Sequence, residues 1–166
     1  MNILVIFLII IINFIFQSTI LSHINIFGVL PNTSLIIVVV IALLRGRKIG
    51  SVAGLLTGLL QDIIFSPVIG VNGFIYFFIG YFVGMTENKL SKDNILIPII
   101  ITAGVTISYH LLYYLFMFFL AQSVSFSIFF KKVVLFEMVY NSILSILFYK
   151  WFSKMFIVPS IRFRRR

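Results

Sequence analysis

Apolar residues run in long stretches along this chain, and polar residues fall in short groups between them. The stretches cover 3–21, 26–44, 49–65, 71–85, 95–120 and 133–152. A helix needs about 20 predominantly apolar residues to cross a ~30 Å hydrocarbon layer, so each stretch is a candidate crossing. The pattern predicts an all-α polytopic membrane protein, a bundle of about six transmembrane helices. The chain 1–166 reads as a single integral membrane domain ending in a basic tail over 153–166. Pro31-Asn32 interrupts the second stretch near its start, and Pro suits a first helical turn; the regular helix is expected to begin there, behind an interfacial segment. The third and fourth stretches are short. Snorkelling of Arg47 and Lys48 and a turn from Phe65 to Gly70 dipping into the interface would complete them.

Composition agrees with this reading: 61% of residues are hydrophobic, 10% are charged, and the mean hydropathy of +1.19 exceeds what a water-soluble core tolerates. The basic residues test the count independently, because short cytoplasmic loops collect Lys and Arg. Arg45, Arg47 and Lys48 follow the second stretch, Lys89 and Lys92 the fourth, and Lys150, Lys154, Arg162, Arg164, Arg165 and Arg166 the sixth. Lys131 and Lys132, after the fifth, are the exception. The alternation predicts an even number of crossings with both termini cytoplasmic. The N-terminus has no basic n-region or small-residue cleavage site, so the first stretch is expected to be retained. With no soluble domain to read a groove, the net charge of +9 is matched to membrane lipid and not to nucleic acid.

The motif with most content is the run from Gly46 to Asp62, in which Gly50, Gly54 and Gly58 recur every fourth residue. Such steps drift by about 40° on an ideal helix and form one winding groove. Small residues at this spacing let another helix approach closely, either a neighbouring span or a partner. Gly73, Gly80 and Gly84 offer a matching surface in the fourth stretch, which favours packing of the third and fourth stretches together. Grooves of this kind serve internal packing and self-association equally well, so a homo-oligomer stays open. Asp62 closes the series at a depth where an acid must be paired, hydrated or facing a cavity. It could cap the turn leading to Asn72, or touch a substrate or proton.

Polar stripes run along three other stretches: Asn13 and Gln17; Thr102, Thr106 and His110, continued by Tyr113 or Tyr114; and Glu137, Asn141 and Ser145. Interhelical hydrogen bonding accounts for them more simply than a ligand site. The chain has no Cys, and His23 and His110 lie in different segments without acids at ligand spacing, so no metal is expected. Asp62, Glu87, Asp93 and Glu137 are all the acids there are. No serine elbow or phosphate loop occurs, so no catalytic residues and no cofactor are assigned.

Pro31-Asn32 opens one apolar helix, Arg45-Gly46 closes it, and Gly54 to Gly58 lead to Leu59-Leu60-Gln61-Asp62 and then Gly70-Val71-Asn72-Gly73. In this order the chain resembles the bacterial rod shape-determining protein MreD family. The resemblance implies a multi-pass protein of the bacterial plasma membrane without enzymatic activity, working with the bitopic protein MreC. Through it the chain would be linked to the actin-like MreB, a SEDS glycosyltransferase and a class B penicillin-binding protein. It also implies a bundle similar to the substrate-binding, S-component-like subunits of energy-coupling-factor vitamin transporters. A vitamin-binding subunit is therefore the rival reading, with a cavity lined by Asp62, His110, Glu137 and Asn141. A membrane enzyme of lipid metabolism ranks below both, for want of an acid cluster.

Overall fold

The computed structural model describes residues 3–19, 29–87, 96–122 and 134–156. Five helices account for nearly all of them: α1 (Ile3–Thr19), α2 (Thr33–Phe65), α3 (Val71–Gly84), α4 (Leu96–Phe119) and α5 (Leu135–Phe156). The ends of several apolar stretches, the Lys131-Lys132 pair, His23, Asp93 and the C-terminal arginines lie outside the described residues.

The helix α2 is two helices folded on each other at Gly46, whose φ of 79° and ψ of −179° leave the helical region. Only glycine adopts such a conformation at little cost. A Cβ on Gly50 would stand 2.9 Å from the Cα of Ala42, whereas eight residues of straight helix span about 12 Å. The chain therefore doubles back into a first arm, 33–45, and a second arm, 47–65. The carboxylate of Glu87, just past α3, lies against Gly46.

The first arm is the core of the molecule. From Leu35 to Leu44 no side chain is more than 4% exposed. The sequence there, Leu-Ile-Ile-Val-Val-Val-Ile-Ala-Leu-Leu, is apolar on every face, the pattern of a helix surrounded on all sides. Its β-branched residues have modest helix propensity, so packing holds this arm helical. The helices α1, α3, α4 and α5 all pack on α2.

The second arm and α3 form the closest pair, antiparallel and in a fixed glycine register. Cβ atoms on Gly54, Gly58, Gly80 and Gly84 would collide with the backbones of Tyr76, Asn72, Gly50 and Arg47 respectively. Each collision lies on the facing helix, so the two backbones touch along their whole length.

The outer surface is apolar and the interior carries the polar groups. Leu4, Phe74, Phe82, Ile100, Leu111, Phe118, Ile143 and Leu147 are among the exposed side chains, whereas Asp62, Asn141 and Thr106 are buried. That inversion suits lipid as the solvent. Leu96–Phe119 is long and apolar enough to cross a membrane by itself, and Ile3–Thr19 and Val71–Gly84 are shorter apolar helices.

Two helix ends are set by local chemistry. Regular helix starts at Thr33, because the Asn32 side chain caps it by accepting from Leu35 N at 3.0 Å. The helix α5 runs on to Phe156, past the apolar stretch that ends at 152; Lys154 in its last turn is the charge a helix C-terminus favours.

Candidate functional site: a buried polar layer

Asp62 ends the second arm and is 0% exposed. It accepts hydrogen bonds from Gly70 N (2.9 Å), Asn72 N (3.1 Å), Asn72 Nδ2 (2.9 Å) and Gly73 N (3.0 Å). The turn before α3 ends on Gly70, at φ 104°, which has no side chain to cap the helix. Asp62 takes that place from eight residues upstream, and its charge faces the positive end of the α3 dipole. A carboxylate so surrounded is satisfied in apolar surroundings. The expected turn residues thus form one unit: Gly70 for the reversal, Asn72 for the amides, Asp62 for the acceptor.

The second part of the layer grows from Pro31 and Asn32. Asn32 Nδ2 donates to Tyr76 Oη at 2.8 Å, and the Asn32 backbone N–H donates to Asn141 Oδ1 at 2.9 Å. Pro31, with no N–H of its own to satisfy, is buried just before that contact. Asn141 Nδ2 faces Thr106 Oγ1 at 3.2 Å and Glu137 Oε1 at 3.3 Å. His110 Nε2 lies 2.8 Å from Glu137 Oε2, with both side chains buried. Tyr109 Oη donates to Asn72 Oδ1 at 2.9 Å, joining this branch to Asp62. On the other flank, Asn13 Nδ2 donates to Ser34 Oγ at 3.2 Å, and Gln17 Oε1 accepts from Thr33 Oγ1 and from Ser34 N and Oγ. Each of the five described helices contributes to the layer.

The structure brings together Asp62 with Asn72, and His110 with Glu137 and Asn141, but as one hydrogen-bonded assembly. The six expected packing glycines face one another inside the chain: Gly50, Gly54 and Gly58 meet α3, and Gly73, Gly80 and Gly84 meet the second arm. That groove is filled by the protein itself, so it is closed to a partner helix in this conformation. Tyr109 supplies a hydroxyl that continues the α4 stripe.

Tyr76, Tyr109, Thr33 and Ser34 were not singled out from the sequence. Tyr76 stands four residues after Asn72, on the same helix face. Thr33 and Ser34 follow Asn32 directly, and three consecutive polar residues opening an apolar helix signal a buried acceptor nearby. Tyr109 offered only its position beside His110.

A cavity of about 250 Å³ opens beside the layer, with Gln17, Asn32, Gln61, Tyr109, His110 and Glu137 among its walls. Asp62 and Asn141 do not line it, which corrects the expected cavity; their polar atoms are engaged in packing the helices. Among the described residues no group of three or more His, Cys, Asp or Glu could hold a metal ion.

Residues 1–158 match the family model described as rod shape-determining protein MreD. No curated protein and no solved structure matches the chain, so the likeness to vitamin-transporter subunits remains an expectation.

Proposed function

The chain belongs to the MreD family, and on that premise we propose that it is a non-enzymatic membrane scaffold of the cell-elongation machinery. Family membership gives it a part in rod shape determination. In this proposal it crosses the bacterial plasma membrane six times, counting the two arms of α2 separately, with both termini cytoplasmic. It holds MreC and thereby helps to position peptidoglycan synthesis, with MreB, the SEDS glycosyltransferase and the class B penicillin-binding protein as indirect partners.

The observation that carries the reading is the match over 1–158. The polar layer supports it physically. Its carboxylates and amides bond to one another and to backbone ends, an arrangement that fixes helix positions in lipid. A scaffold needs such fixed positions, because partners read the relative placement of its outer faces. With the glycine faces taken up internally, MreC contact falls to exposed surfaces such as the outer face of α3 or α4.

The test is affinity purification of the tagged chain from its native cells in mild detergent, followed by mass spectrometry. Recovery of MreC and wall synthases is expected. Recovery of paired ATPases with a transmembrane coupling subunit, and no wall synthase, would replace the scaffold with the transporter reading. The cavity beside His110 and Glu137 gives that second reading its one structural support; a vitamin co-purifying near stoichiometry would favour it.

A further inference from the structure

Among the described residues, α1 is pinned to α2 by hydrogen bonds through its C-terminal half, where Asn13 and Gln17 reach Thr33 and Ser34. The half from Ile3 to Ile10 is wholly apolar. Between it and the second arm lies a groove of about 270 Å³. Ile3, Phe7 and Ile10 form one wall, and Val52, Ala53 and Leu56 the other. The one charged residue among the described lining is Lys48, and it is exposed. The exposed Arg47 precedes it, at the start of the second arm.

We infer that this groove binds an anionic phospholipid, with an acyl chain between α1 and the second arm and the phosphate against Lys48. The occupant follows from the lining. A surface that is apolar along its length and cationic at one end matches a molecule that is apolar along its length and anionic at one end. In a bilayer that molecule is at hand at high local concentration. A long Lys side chain at a helix end lies where its ammonium reaches the headgroup level while its methylenes stay on apolar surface. The acyl chain then covers Ile3 and Phe7, which the protein leaves exposed beside the buried Ile6 and Ile10. The inference needs only that the chain lies in a bilayer, whichever face the basic end occupies and whatever partner it holds.

Native mass spectrometry of the full chain, released from nanodiscs of equal parts phosphatidylglycerol and phosphatidylcholine, tests it. The wild type should retain phosphatidylglycerol over phosphatidylcholine by about fivefold, the effect of one basic residue at an anionic surface. Lys48→Gln should remove that preference while a lipid is still retained. Val52→Phe, at a position 54% exposed and so tolerant of a larger side chain, should lower retention of both lipids. Equal retention of the two lipids by the wild type, or an unchanged preference in Lys48→Gln, would overturn the inference. So would a wild-type dimer without lipid that Val52→Phe converts to monomer, since the groove would then belong to a second copy.

Discussion

Asp62 shows how one side chain can set a tertiary relation. Its carboxylate joins the last turn of the second arm to the first turn of α3, through four donors that apolar surroundings would otherwise leave unsatisfied. Asp62→Ala should destabilise the protein by about 1.5–3 kcal/mol, the range for hydrogen bonds to a charged group. Asp62→Asn should cost less, because the amide oxygen keeps one acceptor. Thermal unfolding in detergent, read by size-exclusion fluorescence, gives the comparison, and a melting temperature unmoved by Asp62→Ala would refute the capping role. The His110 and Glu137 pair behaves differently, since two groups share one buried contact. Removing either takes away the contact they share, so His110→Phe and Glu137→Leu should be non-additive by about 0.5–3 kcal/mol in a double-mutant cycle. Additive effects would mean that the pair contributes nothing as a pair.

At the scale of elements, the contact between the second arm and α3 depends on the absence of side chains. A methyl group on Gly54 would meet the Tyr76 carbonyl, and neither backbone can give way without parting the helices. Gly54→Ala should therefore cost about 1–3 kcal/mol, as overpacking of a close contact does. Gly104 is the internal control. It sits inside α4 with nothing within 4 Å of the position its Cβ would take, so Gly104→Ala should be neutral or stabilising by up to about 1 kcal/mol. Equal effects at the two positions, measured as shifts in melting temperature, would remove the distinction between packing glycines and incidental ones.

For the whole molecule, the reversal at Gly46 and the turn at Ser66 to Gly70 lie at opposite ends of the second arm. If that arm crosses the membrane, the two ends face different compartments. The chain contains no Cys, so single cysteines can be introduced without a background. Ile69→Cys, at a position 72% exposed, should react with a membrane-impermeant maleimide added to intact cells. Arg47→Cys, exposed at the reversal, should react only after the membrane is permeabilised. Labelling of both from one side would rule out the crossing and the proposed orientation together.

Much of this was legible in the chain. A continuous apolar run such as 35–44 has no polar face to turn to water, so a helix in apolar surroundings follows from composition; its place at the centre, and not against lipid, is set by the packing of the other helices. Glycines at fixed spacing announce close approach because nothing else lets two backbones touch, and an acid after them at that depth announces a partner. What spacing could not give was identity across the fold. Whether Gly50, Gly54 and Gly58 met α3 or another molecule, and whether Asp62 faced a cavity or a helix end, depended on how the helices lie beside one another. Asn32 and Asn141 are 109 residues apart yet hydrogen-bonded, and local pattern carries no information over that distance. The sequence by itself determined the solvent, the helices and the residues that had to be satisfied, since lipid imposes those requirements on each segment separately. Only the tertiary structure decided which group satisfies which, because that is a property of pairs of helices and of their register.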